Sequence, residues 1–250
     1  MIIIKSESEI DIMRTAGHVT GEILRDLAGF IEPGMSTYTI DEFVESRIRK
    51  ENMTPSFLGL YGFPGSACIS INEQVVHGIP SKDVLLKEGD IVSVDTGATW
   101  KGFVSDAART YPVGEVNEVA KSIIAAAENG FFAALPYCKK GCRVSDISHA
   151  VQESVEGNGF GVVRELVGHG VGRDMHEDPQ IPNYGRAGRG PRLAKGMVFA
   201  IEPMITEGTY DVDMLDDGWT YVTADGLLAA HYENSVVITE GEPELLTLVK

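Results

Sequence analysis

Glycines that recur 107 residues apart are the feature that most constrains how this chain can fold. Gly34 and Gly141 each precede an apolar pattern with helical spacing, and Gly89 and Gly196 each precede an apolar strand pattern. Chance alignment of glycines is the alternative, but matches that keep their order and share one offset favour a duplicated unit. We therefore predict two related halves, each with helices followed by strands.

Carboxylates occupy matching places in the two halves. Asp95 ends the first strand pattern and Glu202 ends the second, again 107 residues apart. Asp106 and Glu233 each lie eight residues before a glycine, but their offset is 127, as if the second half held 20 additional residues. The repeat thus offers two acidic side chains from each half at equivalent positions, which suggests one shared site.

The composition is typical of a soluble globular protein and limits the partners. The chain has 250 residues, and its 37 acidic and 21 basic side chains give a net charge of −16. A surface this acidic repels a phosphate backbone, so we expect no DNA partner. No apolar run approaches the about 18 residues of a membrane span. Three cysteines, an odd and low number, indicate a reducing compartment, and we expect a cytoplasmic protein without a membrane partner.

Hydrophobic periodicity predicts an α+β fold. A capping box at Ser6–Glu9 opens a first helix, which Pro33-Gly34 stops, and a second helix starts near Thr39. Two further helices are expected over 119–135 and 146–156. Strand patterns cover 69–71, 91–94, 197–201, 219–224, 227–233 and 236–239.

The segment between Asp95 and Asp106 has the pattern of a β-hairpin. A turn at Trp100-Lys101 would place the two aspartates directly opposite each other, with both side chains on one face. Like charges in that position destabilise a sheet, and a divalent cation with oxygen ligands would compensate. Taken alone, an exposed and solvated acid pair is the simpler interpretation.

The carboxylates of the second half favour the cation site over the solvated acid pair. Glu202 lies within the apolar run 198–205, and Glu233 lies between two apolar strand patterns. Burying a carboxylate is costly unless it is paired or ligated. Two such glutamates at positions equivalent to two aspartates favour a shared cation site over two unrelated ion pairs.

Histidines complete the candidate site. His169 lies among glycines in Gly168–Gly172, where small neighbours would let a ligand approach, although a flexible loop is the commoner reason for such a segment. From the residues alone, His77 and His176 are best interpreted as structural. Four carboxylates and one imidazole suit a pair of divalent ions that hold a bridging hydroxide, which is the arrangement of a hydrolase.

At this point the sequence resembles the type I methionine aminopeptidases of peptidase family M24, over essentially its whole length. The order Asp, Asp, His, Glu, Glu at this spacing is highly specific. The resemblance rests on Ser70–Glu73 (SINE), His77–Pro80 (HGIP), Val94-Asp95, Ser105-Asp106, Gly168–Gly172 (GHGVG), His176–Gln180 (HEDPQ), Phe199–Met204 (FAIEPM) and Asp217–Trp219 (DGW).

The resemblance implies the pita-bread fold, in which two pseudo-twofold-related halves surround a central antiparallel sheet. The chain would be a single catalytic domain over 1–250, with a pseudo-repeat of roughly 1–115 and 116–250. We refer to these ranges as the first half and the second half.

The resemblance also implies the metal ligands and the reaction. Two divalent ions (Co, Mn, Fe or Zn) would be held by Asp95, Asp106, His169, Glu202 and Glu233. Asp106 and Glu233 would bridge the ions, His169 and Glu202 would complete one site, and Asp95 the other. A bridging hydroxide would attack the carbonyl after an N-terminal methionine, with Glu202 as general base and acid.

Substrate contacts follow from the same resemblance. His77 and His176 would bind substrate and stabilise charge in the tetrahedral intermediate. The methionine side chain would enter a pocket lined by aromatic and sulfur-containing residues, and a cramped neighbouring pocket would restrict the second residue to small side chains. The pocket residues would be Phe57, Tyr61, Phe63, Cys68 and Trp219. The chain departs from the family pattern at Phe57, Met175 and His231, which bears on pocket shape rather than on the metal ligands.

The expected partner is the N-terminus of a peptide or nascent chain, bound by a monomer. A Gly-rich segment carries four basic side chains, Arg186, Arg189, Arg192 and Lys195. We predict a surface loop that is simply solvated. The alternative is that this loop contacts ribosomal RNA.

Two other functions are weighed against this one. An Xaa-Pro aminopeptidase or prolidase has the same fold, but such enzymes usually carry an extra N-terminal domain. A catalytically silent binding protein on this fold would recognise peptide N-termini or a partner. Such proteins typically lose ligands, whereas all five are present here, which favours the enzyme.

Overall fold

The computed structural model describes residues 1–249 and combines helices with antiparallel strands. The α-helices are α1 (Glu7–Leu27), α2 (Thr37–Lys50), α3 (Glu118–Ala134) and α4 (Val144–Gly157). The strands of the first half are β1 (Thr54–Pro55), β2 (Ala67–Ile71), β3 (Gln74–Val76), β4 (Ile91–Thr96), β5 (Ala98–Trp100), β6 (Phe103–Val104) and β7 (Ala107–Pro112). Those of the second half are β8 (Gly161–Val162), β9 (Gly168–Gly170), β10 (Glu177–Ile181), β11 (Val198–Ile201), β12 (Met204–Thr206), β13 (Val212–Met214), β14 (Tyr221–Thr223), β15 (Ala229–His231), β16 (Asn234–Val237) and β17 (Glu244–Leu245).

The local signals for the helices are confirmed, but α1 ends at Leu27 and not at the predicted stop, Pro33-Gly34. The Ser6 hydroxyl accepts a hydrogen bond from the Glu9 amide, and the Ser6 amide donates to the Glu9 carboxylate, as a capping box requires. α2 begins two residues before Thr39, because the side chain of Ser36 accepts the Thr39 amide at 3.1 Å. The four predicted helices are therefore present, and their caps explain where they begin.

The 107-residue offset recurs in the structure. α2 and α4 begin and end 107 residues apart, and so do the starts of β4 and β11. Gly89 and Gly196 precede these strands with φ angles of 92° and 86°, a left-handed conformation that favours glycine. Equivalent glycines thus perform the same turn before equivalent strands.

Each half builds a helix-covered antiparallel sheet. In the first half the strand order is β2-β4-β7, and the apolar faces of α1 and α2 pack against it. In the second half the order is β10-β9-β11-β16-β17, and α3 and α4 pack against that sheet. The two halves meet where the Glu233 amide donates to the Ala108 carbonyl at 2.9 Å, and where the Ser235 hydroxyl donates to the Asp106 carbonyl at 2.9 Å. This seam contains the predicted acidic residues.

The register predicted for the hairpin after β4 is wrong by two residues. Trp100 pairs with Phe103, so the turn lies at Lys101-Gly102, both with positive φ as a two-residue hairpin turn requires. Asp95 pairs with Ala108 and not with Asp106. Because side chains alternate with a period of two, the shift keeps both aspartates on one face.

Within residues 1–249, no helix is both long and apolar enough to cross a membrane.

Candidate active site

A cavity of about 280 Å³ opens where the two halves meet. Its wall contains all twelve residues that the sequence analysis assigned to the site. These are Phe57, Tyr61, Phe63, Cys68, His77, Asp95, Asp106, His169, His176, Glu202, Trp219 and Glu233. Residues that are up to 176 positions apart in the sequence therefore share one cavity.

The floor of the cavity is formed by the four carboxylates. Asp95 lies on β4 and Asp106 in the short break between β6 and β7, while Glu202 follows β11 and Glu233 separates β15 from β16. Asp106 is 4% exposed, and Asp95 is half-buried with its Oδ1 atom out of contact with solvent, so the solvated acid pair considered above is excluded. Glu233 is 1% exposed. Strand ends from both halves deliver the acids to one buried spot.

These carboxylates have acceptor atoms that the protein itself leaves unused. Among residues 1–249, Asp95 Oδ1, Asp106 Oδ1 and Glu233 Oε1 are buried and have no hydrogen-bond partner. Burial raises the pKa of Asp95 to about 8. Burial, followed by repulsion from neighbouring carboxylates, raises the pKa values of Asp106 and Glu233 well above their usual range.

Bound divalent cations would offset the cost of burying these carboxylates, and the ligand atoms present suit such ions. Ligand atoms of Asp106, His169 and Glu233 all lie within 4.8 Å of one another. Carboxylate oxygens and imidazole nitrogen together suit hard or borderline divalent ions. The residues present therefore fit the metal centre that the sequence resemblance implies.

His169 has the tautomer and position of a ligand. Its Nδ1 lies 2.9 Å from the Gly170 carbonyl oxygen, to which it donates, so Nε2 keeps a free lone pair. Nε2 lies 3.6 Å from Asp106 Oδ2 and 3.4 Å from Glu202 Oε1. Burial, and then the neighbouring His176, lowers the pKa of His169 to about 4, which keeps the ring neutral.

The glycines around His169 belong to a buried strand, so the flexible-loop interpretation is wrong. β9 lies between β10 and β11. A Cβ atom on Gly168 would lie 2.6 Å from the Ala200 carbonyl oxygen, and one on Gly170 would collide with the Asp178 carbonyl. The small residues are required by neighbouring backbone, and this close packing fixes the imidazole.

His77 and His176 both face the cavity, contrary to the interpretation from the residues alone. The His176 ring lies 4.5 Å from that of His169 and 5.9 Å from that of Tyr61. The His77 ring lies 6.0 Å from that of Tyr221 on β14. Burial lowers the pKa values of both histidines, so at neutral pH each presents one N–H donor and one acceptor.

Aromatic and sulfur-containing side chains form the apolar end of the cavity. Phe63 and Trp219 pack edge to face with ring centroids 5.1 Å apart. Cys68 pairs directly with Asp95 across β2 and β4, which puts the thiol beside the carboxylates. Trp219 is held in place by Asp217, whose carboxylate accepts the Trp219 amide at 2.8 Å.

Seven further residues line the cavity without having been predicted: Leu60, Val76, Glu165, Leu166, Val167, Met175 and Met204. Three of the seven are next to a predicted residue in the sequence: Leu60, Val76 and Met175. An apolar residue beside a ligand has no pattern that separates it from the core, so only the fold identifies it. Glu165 is exposed at the cavity opening, where an acidic residue gives no signal distinct from the general acidity of the chain.

The basic segment lies outside the cavity. Arg186, Arg189, Arg192 and Lys195 are all exposed, which confirms the predicted surface loop. The loop is anchored to the start of α4 by several hydrogen bonds. The Ser145 hydroxyl donates to the Arg189 carbonyl at 2.9 Å, and the Gly188 amide donates to the Asp146 carboxylate at 2.7 Å.

Comparisons with known proteins agree with this geometry. The family model described as metallopeptidase family M24 matches residues 11–240. A methionine aminopeptidase of Clostridium perfringens is 54% identical over 250 residues, all of both chains. Methionine aminopeptidase 1 of Bacillus subtilis is 49% identical, again over 100% of both. The chain belongs to the methionine aminopeptidases of metallopeptidase family M24. The resemblance noted in the sequence is thereby confirmed.

Solved structures confirm the fold. The crystal structure of a methionine aminopeptidase from Thermotoga maritima matches with a TM-score of 0.98 and 46% identity over 100% of both chains. A prolidase from Pyrococcus horikoshii shares the fold with a TM-score of 0.79 at 24% identity, and the match covers 65% of that prolidase. The predicted pita-bread fold is correct, and the identities favour the methionine-specific branch over the proline-specific one.

Proposed function

We propose that this metallopeptidase removes the N-terminal methionine from peptides and nascent proteins whose second residue is small. The observation that carries the proposal is the cluster of four carboxylates and one imidazole at the base of an apolar, aromatic cavity, in which Asp95 is half-buried and the other four residues are buried. The proposed ligands of two divalent ions are Asp95, Asp106, His169, Glu202 and Glu233.

The positions of these ligands support a division between two sites. The buried carboxylates of Asp106 and Glu233 come from opposite halves and share a ligand cluster with His169, which supports a bridging role for both acids. The approach of His169 to Glu202 supports a site completed by these two residues. Asp95, which lies on β4 and lines the same cavity, would complete the second site.

The protein side of the reaction uses proton transfer and hydrogen bonds. When bound, the ions supply a nucleophile from water at neutral pH and a Lewis acid for the scissile carbonyl. Glu202 is buried and lines the cavity beside the other proposed ligands, so it would take a proton from the attacking water and return it to the leaving amine. His77 and His176, both neutral, would donate N–H bonds to the substrate as charge develops on its carbonyl oxygen.

Specificity for methionine would come from the apolar end of the cavity. Phe57, Phe63 and Cys68 are buried there, and Trp219 closes one side. Aromatic edges and a polarizable sulfur make favourable contacts with a thioether. The confined space next to the carboxylates would admit a small second residue.

We also propose that the chain is one catalytic domain over 1–250 with the pseudo-repeat 1–115 and 116–250, and that it acts as a monomer. The shared helix and strand offsets support the repeat. All five proposed ligands come from one chain, so no second copy is needed to complete the site. Light scattering after size-exclusion chromatography would measure the mass, and a dimer that dissociates with loss of activity would contradict the monomer.

The cellular setting is part of the proposal. Cys68, Cys138 and Cys142 carry free thiols, as expected in the reducing cytoplasm. Contact of the basic loop with the ribosome is a separate hypothesis, supported by four exposed cations on a chain of net charge −16. Reversing all four charges should weaken ribosome co-sedimentation. Unchanged co-sedimentation would leave the loop simply solvated.

The decisive experiment restores metal to the stripped protein and assays two peptides. Mn²⁺ or Co²⁺ is titrated back while Met-Ala-Ser and Ala-Pro-Ala are offered as substrates. We expect metal-dependent release of free methionine from the first peptide alone. Cleavage of the second alone would move the protein to the proline-specific branch. Metal binding without cleavage of either peptide would make it a silent binding protein.

A further inference from the structure

One buried imidazole beside the carboxylates has no role in the proposal above. His231 lies on β15 and is 1% exposed. Its Nε2 atom lies 3.8 Å from Glu202 Oε2 and 3.8 Å from Glu233 Oε2. Among residues 1–249, neither ring nitrogen has a hydrogen-bond partner. The ring therefore faces two proposed ligands from inside the protein.

The backbone holds this ring in place. The His231 amide donates to the Thr110 hydroxyl at 2.9 Å, and the same hydroxyl donates to the His231 carbonyl at 2.9 Å. On its other side, His231 pairs with Met204 of β12. Strands from both halves thus fix the residue, and the two glutamate carboxylates are the acidic groups within its reach.

A buried polar ring without partners is unfavourable, so its presence calls for a reason. Both gaps to the glutamates exceed the longest ordinary N–H···O hydrogen bond, about 3.2 Å, by about 0.6 Å. A carboxylate that ligates a metal through one oxygen leaves the other oxygen free to accept a hydrogen bond. Such outer partners orient ligands and raise the affinity for the metal.

We propose that His231 is a positioning residue of the metal centre, whose Nε2–H donates a hydrogen bond to the Glu202 or Glu233 carboxylate when that carboxylate ligates a metal. The inference rests on the proposed function, because it assumes that these glutamates are ligands. His231 is not among the residues that line the cavity, so it would act through the glutamates.

The test measures metal affinity and stability in the same variants. His231→Leu removes both ring nitrogens at similar volume, and His231→Gln keeps one N–H donor. Thr206→Val is the matched control, because Thr206 on neighbouring β12 also has a buried hydroxyl without a partner among residues 1–249. Mn²⁺ binding to the stripped proteins is measured by calorimetry, and urea unfolding is measured in chelator.

We expect His231→Leu to weaken Mn²⁺ binding by roughly 10–100-fold while the metal-free protein keeps or gains stability. His231→Gln should recover most of that affinity, and Thr206→Val should bind Mn²⁺ as the unchanged protein does. If leucine prevents folding, methionine takes its place.

The inference is overturned if His231→Leu binds Mn²⁺ within twofold of the unchanged protein, since His231 would then resemble Thr206. Equal losses for His231→Leu and His231→Gln would also overturn it, because donation of a hydrogen bond would not matter. Failure of the unchanged protein to bind Mn²⁺ would instead contradict the proposed function.

Discussion

The two halves supply equivalent carboxylates but separate them by very different lengths of chain. In the first half ten residues, 96–105, lie between Asp95 and Asp106, and they form a short hairpin. In the second half thirty residues, 203–232, lie between Glu202 and Glu233, and they include β13 and β14. The 20-residue difference inferred from the sequence is thus accounted for mainly by one added hairpin.

That difference separates two tasks. The parts that the halves share, a strand and the acid at its end, build the floor of the cavity. The added hairpin carries Trp219 to the apolar end of the cavity, where it packs on Phe63 of the first half. In this protein the repeat supplies the carboxylates of the proposed metal centre, and the asymmetry adds one wall of the proposed substrate pocket.

The largest effect is expected at Glu202, and its repeat equivalent Asp95 provides the comparison. Both Glu202→Gln and Asp95→Asn should weaken metal binding, but Glu202→Gln also removes the proton-transfer group. At saturating Mn²⁺ we expect Glu202→Gln to lower kcat by about 10²–10⁴-fold, and Asp95→Asn to recover more activity. Steady-state kinetics on a Met-Ala peptide measures this, with Glu242→Gln, at an exposed position, as the control. Turnover by Glu202→Gln like that of the unchanged protein would refute the proton-transfer role.

The second-largest effect is expected at Trp219, and Trp100 in the first half provides the comparison. Trp219→Leu should raise KM for methionyl peptides and lower kcat/KM by about tenfold, because aromatic contact with the thioether is lost. Trp100→Leu is the matched control, since Trp100 packs against the core of the first half and should lower stability instead. If both variants changed kcat/KM equally, the hairpin would have no special part in substrate binding.

A third comparison concerns the glycines that precede the equivalent strands. Gly89→Ala and Gly196→Ala both place alanine in a left-handed conformation, at about 1–2 kcal/mol each. A Cβ at Gly196 would also lie 2.6 Å from the Lys5 carbonyl oxygen, whereas at Gly89 the nearest contact is 3.8 Å. Gly196→Ala should therefore lower the free energy of unfolding by about 1–3 kcal/mol more than Gly89→Ala. If both variants lost the same free energy of unfolding in urea, the N-terminal segment around Lys5 would have to shift at little cost to make room for the added methyl group.

The smallest effect is a pH dependence of the metal-free protein. The pKa of Asp95 is raised to about 8, against about 3.9 in an unfolded chain. Between these values the unfolded chain has released a proton that the folded carboxyl keeps, so stability falls as pH rises. Neutral buried His169, with its pKa lowered to about 4, opposes this trend only below about pH 6.5.

We therefore expect the free energy of unfolding in chelator to fall from pH 6.5 to pH 8, by about 1–2 kcal/mol from Asp95 alone. Asp106, Glu202 and Glu233 add to this fall, because burial raises their pKa values as well. Saturating Mn²⁺ should remove this loss, and Asp95→Asn should reduce it. Stability that rises with pH in chelator would show that the four acids do not face one another in a desolvated cluster.

Much of the site could be predicted from the sequence because its residues stand at strongly constrained points. A carboxylate within an apolar run, such as Glu202, signals burial with a partner wherever the run packs. A histidine between glycines, such as His169, signals a close approach, although the sequence did not show that the approach is by neighbouring backbone. The predicted register of the hairpin was wrong because the position of the turn depends on two residues that adopt positive φ. The sequence gives no sign that Lys101 is one of them.

The sequence by itself determined the repeat, the helix caps and the identity of the proposed ligands, because these depend on local chemistry and on spacing along the chain. Only the tertiary structure decided that Asp95 pairs with Cys68, that Trp219 reaches Phe63, and that His231 lies buried against two glutamates. The reason is physical: side-chain periodicity fixes which face a residue lies on, but long-range packing alone fixes which residues from distant segments meet on that face.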